Sequence, residues 1–433
     1  MLRRVIAITA LIIAGEMVFS LPFHIPRFFR PSVLEAFSLT NTQLGDITAV
    51  YGITAMLSYF PGGALADRFS ARKLLAFSLF ATAAGGLYMM TFPATVGLAV
   101  VYGFWGATTI FLFWGALIRS TREWGGQSSQ GRAFGILEAG RGLAAATAAF
   151  GAAMLFAVVM PGDGDFATNA ERQAGLRTVI QTYVLLTAGA GLLVWFAIPD
   201  SDAKTLSRHS PLQGMLEVVR KPIIWAQALI VVCAYCFYKA GDNWSLYAQQ
   251  VLEMNEVNAA KITAAGAYMR PIGALAAGLI ADRFDSARTI AVLFGLLLLI
   301  FVTLSLLTPD IIGTGIIIGN IAVSLLAVFA LRGVYFALLE ETRTPRHITG
   351  AAVGMVSVVG FLPEIFMGPI AGRILDATPG VGGHQNLFLF LAGVATVGML
   401  VVFWLMRLKR NNLTAAPVSS DTGTHNKKPT DVL

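Results

Sequence analysis

The sequence predicts an all-α membrane protein, with twelve spanning helices arranged as two related six-helix bundles. Three observations predict it. The 433-residue chain is 56% AVILMFWYC with 44 glycines besides, and only 13% DEKR; soluble domains run at about 45–50% apolar and about a quarter charged. Runs long enough to cross a bilayer recur twelve times. The last six repeat sequence features of the first six. High apolar content excludes intrinsic disorder, aperiodic glycine excludes collagen, and two cysteines, Cys233 and Cys236, exclude a disulfide scaffold.

A spanning helix needs about 20 mainly apolar residues. Such runs lie at 4–27, 42–66, 74–92, 96–118, 132–158, 178–198, 223–247, 260–281, 289–307, 312–336, 347–372 and 386–406. Spans one and eleven contain Pro22, Pro363 and Pro369, tolerated because neighbouring helices can satisfy the freed backbone groups. The basic start at Arg3 and Arg4 resembles a secretory signal, but there is no small-residue cleavage site and eleven spans follow, so it reads as a retained helix.

Lysine and arginine set the orientation. With the N-terminus in the cytoplasm, 21 of the 31 basic residues fall on the cytoplasmic side and six on the other; Arg141, Lys239, Arg270 and Arg332 are left inside spans. Twelve spans then place both termini in the cytoplasm. The net charge of +7 follows from this topology and calls for no nucleic-acid partner. The domain reading is an N-terminal bundle at 1–198, a cytoplasmic linker at 199–222, a C-terminal bundle at 223–410 and a disordered cytoplasmic tail at 411–433. The loop at 159–177, with Asp163 and Asp165, is a linker and not a calcium loop.

Self-similarity supports a duplication. Gly63-Ala64-Leu65-Ala66-Asp67-Arg68-Phe69 ends span two, and Gly278-Leu279-Ile280-Ala281-Asp282-Arg283-Phe284 ends span eight. The segments 116–122 and 337–343 follow spans four and ten. Gly131-x-x-x-Gly135 opens span five, and Gly350-x-x-x-Gly354 opens span eleven. The three offsets are nearly equal. Two related bundles around a midplane site suit a carrier in which one rocks against the other.

The segment Gly63-x-x-x-Asp67-Arg68-x-Ser70-x-Arg72-Lys73 resembles the loop signature of the major facilitator superfamily, and Gly278-x-x-x-Asp282-Arg283 resembles its second copy. Ser70 stands where the family usually has glycine. Span five reads Gly140-Arg141-Gly142-Leu143, without the Gly-Pro pair of the family's drug–proton antiporters, and span four lacks their mid-helix arginine. The resemblance extends to a bacterial branch with no settled substrate. It implies a monomeric inner-membrane transporter whose gating motif is Gly63, Asp67, Arg68, Arg72, Lys73, Asp282 and Arg283, with Asp67 latching the cytoplasmic side and Arg68, Arg72 and Lys73 either sharing in the latch or only enforcing topology.

Ionisable groups at mid-helix cost about 2.5–3.5 kcal/mol each on insertion scales, so they line a cavity or pair. Four acids, Glu16, Glu138, Asp242 and Glu364, accompany the four intramembrane bases. Glu138 and Arg141, three apart, share a helix face. Arg270 precedes Pro271, and its fork of donors suits a carboxylate or phosphate, which makes it the first choice for an anion contact. Lys239 and Asp242 sit in the outer half of span seven with Tyr235, Tyr238 and Trp244, an outer substrate rim or a structural pair with Lys239 snorkelling outwards. Glu16, Glu138 and Glu364 are candidates for proton coupling, since a poorly hydrated carboxyl can load and release protons near neutral pH. Arg332 falls at the cytoplasmic end of span ten and reads as gate or interface.

Cys233-x-x-Cys236 lies among apolar residues and reads as packing. No histidine falls at a clear midplane position, and the five form no metal-ligand cluster. No P-loop or nucleophile triad is visible, so neither ATP-driven pumping nor an enzyme is expected, and no cofactor or metal. The expected activity is alternating-access movement of a small solute, more anionic than cationic because of Arg270 and Arg141, coupled to protons in a lipid membrane. The alternative is proton-driven efflux of drugs or metabolites. Asp67→Asn is expected to cut transport while leaving membrane insertion intact; normal flux in the variant would remove the latch.

Overall fold

The computed structural model describes residues 2–126, 129–161, 167–200, 217–273, 276, 285–335, 338 and 349–414. Asp282 and Arg283, the repeat at 337–343, most of the linker at 199–222, the acidic loop residues and most of the tail lie outside the described residues. Helices account for almost all of the rest. They are α1 (Leu2–Phe28), α2 (Asn41–Arg68), α3 (Ala71–Met89), α4 (Thr95–Gly125), α5 (Gln130–Val159) and α6 (Asn169–Ala197). The second six are α7 (Pro222–Gln250), α8 (from Glu256–Gly266 onwards), α9 (Ser286–Leu306), α10 (Thr314–Val334), α11 (Thr349–Gly360, then Pro363–Ala377) and α12 (Val381–Thr414). Among the described residues nine helices are long and apolar enough to span a membrane. The charged helices α2 and α3 and the partly described α8 complete the predicted twelve.

Local chemistry sets the ends and the breaks. Thr40 caps α2 in a reciprocal box with Gln43, and Thr168 caps α6 in the same way with Glu171. Pro222 starts α7, where its missing N–H costs nothing. In α1 the ring of Pro22 removes one backbone donor and crowds the preceding turn, and Ser20–His24 widens into a π-helical turn. Pro363 breaks α11 in the same manner and leaves Glu364 in the first turn of the new segment. Large apolar side chains such as Leu57, Phe77, Val158, Phe196 and Val292 are exposed around the outside, as a lipid-facing surface requires.

The two halves repeat one packing pattern. Helix α1 packs on α5 and α6 as α7 packs on α11 and α12, and α3 packs on α6 as α9 packs on α12. The halves meet along two seams, α2 against α11 and α5 against α8. In the first seam a Cβ added to Gly45 would meet the Gly368 carbonyl oxygen at 2.3 Å, and one added to Gly372 would meet that of Asn41 at 2.4 Å. The backbones approach this closely only because these positions are glycine.

One end of the molecule is latched across the halves. Asp376 of α11 accepts from the backbone N–H groups of Asn41 (3.1 Å) and Thr42 (2.7 Å), closing the start of α2. Arg373 pairs with Asp46 at 2.8 Å. Glu256 at the start of α8 takes Arg172 of α6 at 2.6 Å and the hydroxyl of Ser32. Buried Arg30 donates to Asn41, and so reaches Asp376 through that amide. At the other end, which carries Arg68, Arg72, Lys73, Arg119 and Arg122, every ion pair among the described residues joins groups within one half. Gly45→Val should overpack the first seam by about 1–3 kcal/mol. It is expected to raise maleimide labelling of Thr48→Cys about tenfold in otherwise parental protein, and an unchanged rate would show that the seam does not hold this end shut.

Candidate functional site

Between the halves lies a cavity of about 270 Å³ lined by α1, α5, α7, α8, α9 and α10. Most of its wall is apolar, including Phe28, Phe237, Trp244, Phe301 and Phe329. The polar part of the lining includes Glu16, His24, Arg27, Tyr238 and Arg270. These residues belong to two clusters of charge.

The first cluster joins α1, α5 and α8. Glu138 accepts from Arg141 at 2.5 Å, the same-face contact expected of residues three apart. Glu16 lies 3.4 Å from both Arg141 and Arg270, and Arg270 reaches Glu138 at 3.5 Å. Arg141 also donates to the Gly15 carbonyl at 2.9 Å. The Gly140-Arg141-Gly142 sequence permits this convergence. A Cβ on Gly140 would meet Ile12 of α1 at 2.5 Å, while Gly142 packs on the side-chain stem of Arg270. The pairs with Arg270 cross from one half to the other.

His24 joins this cluster from the π-helical turn of α1. Its Nε2 is 3.4 Å from Glu16 and its Nδ1 is 3.3 Å from the Tyr183 hydroxyl. The expectation that no histidine sits at the centre is thus corrected. His24 follows Glu16 by eight residues, a spacing that shares a helix face, and lies in the π-helical turn at Ser20–His24.

The second cluster joins α1, α7 and α11. Lys239 is held by Asp242 at 2.7 Å and Glu364 at 3.0 Å. Asp242 also accepts from Arg27 at 2.6 Å, and the Tyr235 hydroxyl donates to Glu364 at 2.8 Å. Lys239 is buried, so the snorkelling expected of it is corrected; the break before Pro363 delivers Glu364 to meet it. Arg27, at the end of span one, is held by Asp242 and by the hydroxyl of Tyr238 at 3.1 Å.

Arg332 completes the site. Its guanidinium lies 3.8 Å from the centre of the Tyr238 ring and 5.7 Å from that of Tyr235. The same Tyr238 ring has Arg27 at 4.7 Å. Arg332 forms no ion pair among the described residues, and its buried Nη1 has no hydrogen-bond partner. It lies in the last turn of α10, over a cavity-lining tyrosine. Arg270 and Arg141, expected to receive an anion, are instead occupied by Glu16 and Glu138. Cys233 and Cys236 are buried and unbonded in the packing of α7.

Comparison with known proteins decides what this architecture is. The sequence model of the Major Facilitator Superfamily matches residues 7–366. The chain belongs to that superfamily. It is 27% identical over 432 residues to "Inner membrane protein YqcE" of Escherichia coli K12, covering 97% of this chain and 98% of that one. It is 26% identical over 416 residues to "Inner membrane protein YihN" of the same organism, covering 92% and 94%. Its fold superposes with a TM-score of 0.76, at 14% identity and over 95% and 98% of the two chains, on a bacterial homologue of the human lysosomal transporter Spinster in an inward-facing, unoccupied conformation. The protein is therefore a multi-pass transmembrane transporter of a small molecule and not an enzyme.

Among the described residues the superfamily signature makes no ion pair across the halves. Gly63, Asp67 and Arg68 are exposed, and a Cβ on Gly63 would meet nothing within 4 Å. Arg72 pairs with Asp200 at 2.6 Å, Lys73 approaches it at 3.8 Å, and Ser70 donates to the same carboxylate. That hydroxyl, with Arg72 and Lys73 beside it, holds the Asp200 carboxyl below its ordinary range. The serine that departs from the family pattern thus ties the α2–α3 loop to the end of α6. Arg119 meanwhile caps the end of α2 through the Ala66 carbonyl at 2.8 Å.

Removing one member of a buried ion pair strands the other, at a cost of about 3–5 kcal/mol. Lys239→Met is expected to lower the melting temperature of the purified transporter by several degrees. Adding Glu364→Gln should restore at least half of the loss. A single variant as stable as the parent would show that this pair does not hold α7 to α11.

Proposed function

We infer that the transporter carries a small organic anion by alternating access, and that Arg332 is the cation that receives it. The observation that carries this reading is the unpaired guanidinium. Arg27, Arg141, Lys239 and Arg270 each have a carboxylate within ion-pair distance, while Arg332, behind the cavity-lining Tyr238, has none within that distance among the described residues and stands over aromatic rings. A guanidinium with bare donors suits a carboxylate or phosphate oxygen, and the apolar walls suit an organic body. A free arginine beside the cavity disfavours the alternative of broad drug efflux, which needs an apolar pocket without one.

Lysine and arginine bias places the basic end in the cytoplasm. On that reading both termini are cytoplasmic, the latched end is external, and the cavity is approached from inside. The signature around Asp67 then closes only after the latched end opens. Proton coupling falls to Glu138, whose side chain is 51% exposed against 5% for Glu16 and 10% for Glu364. Glu138 alone of the three can meet water without first breaking out of a buried cluster.

A thermal-shift screen of small organic anions, with neutral and cationic analogues of the same skeletons, tests the reading. Hits are expected among the anions. Arg332→Gln should weaken their apparent affinity tenfold or more. Hits confined to cations, or undiminished anion binding by the variant, would overturn the assignment of Arg332. Solute flux indifferent to a protonophore would remove the role given to Glu138.

A further inference from the structure

The charges of the two clusters do not cancel. The two clusters with Arg332 hold five cations and four carboxylates among the described residues, of which Glu16, Arg27 and Arg270 line the cavity. The latched layer, by contrast, sets Arg30, Arg172 and Arg373 against Glu256, Asp46 and Asp376. Among the described residues the imbalance therefore belongs to the two clusters and Arg332, and there it amounts to one positive charge.

We propose that this surplus makes the protein an exchanger, in which the load carries a net charge of −1 and the ligand-free form crosses between its two faces slowly. The load is a monoanion alone or a dianion with one proton. When the protein changes face, the cavity closes on both sides and loses its water. The surplus charge is then sealed away from water without a counter-charge among the described residues. Re-pairing does not help. If Arg332 takes Glu138, the carboxylate closest to water, then Arg270 or Arg141 is left short, and the surplus has only moved. A bound anion cancels it, so the loaded protein passes through the closed state with a neutral core. One load is then exchanged for another faster than the empty protein returns. That exchange rests on the anion reading above; the slow ligand-free crossing rests on the charge count alone.

The crossing can be measured without knowing the cargo. Donor and acceptor dyes at Ser38→Cys and Ala377→Cys, in a Cys233→Ala, Cys236→Ala background, report opening of the latched end in single ligand-free molecules in lipid nanodiscs. Arg332→Gln makes the core neutral and is expected to speed the crossing at least tenfold. Glu138→Gln raises the surplus to two and should slow it. The double variant returns the surplus to one and should fall between the singles, near the parent. Rates that follow this order support the proposal, because local damage to the site has no reason to track net charge. A crossing in Arg332→Gln no faster than the parent's, or a double variant outside the range of the singles, overturns it. If Arg332→Gln crosses faster yet binds anions as the parent does, the binding assignment fails and the charge barrier stands. Lost anion binding with an unchanged crossing rate means the reverse.

Discussion

A charge withdrawn from water between membrane helices must meet an opposite charge or remain costly, and the centre of this protein is organised by that constraint. Its backbone irregularities serve the same end. The π-helical turn at Ser20–His24 carries the histidine that meets Glu16. The break before Pro363 brings Glu364 onto Lys239 and Tyr235. Glycines on either side of Arg141 let α1 and α8 come close enough for Glu16 and Arg270 to share its cluster.

Both clusters draw members from the two halves, since Arg270 meets Glu16 and Glu138 while Arg27 meets Asp242. Motion of one half against the other therefore strains the same contacts that neutralise the core. The latched end works differently. There a carboxylate accepts from backbone N–H groups at the start of α2, and glycine seams bring backbone against backbone. Such contacts are short and have little slack, so they are made or broken as a unit. The basic end has no corresponding cross-half pair among the described residues, and its signature residues are tied within their own half through Asp200.

Much of the fold was legible in the chain. Apolar run length, basic-residue bias and the repeat of Gly63–Phe69 at 278–284 are local in sequence and need no tertiary information. The Glu138–Arg141 contact was legible for the same reason, because residues three apart on a helix share a face. His24 was missed because its partner Glu16 is two turns away along the same helix, and Arg27 because its partner Asp242 is more than two hundred residues away. The signal for His24 was nonetheless present, in a histidine two residues beyond a proline inside a span.

Taken alone, the sequence determined the twelve helices, their grouping in two related sixes and the set of charges that lipid would have to accommodate, since each follows from local composition and spacing. Which charges cancel was decided only by the tertiary structure. Along the chain Arg270 reads as the anion contact and Arg332 as a gate or interface residue, yet the first is brought within reach of two glutamates and the second is set over a tyrosine ring. Coulombic partnership depends on distances between helices, and those are fixed by how glycine seams and helix breaks let the bundles close.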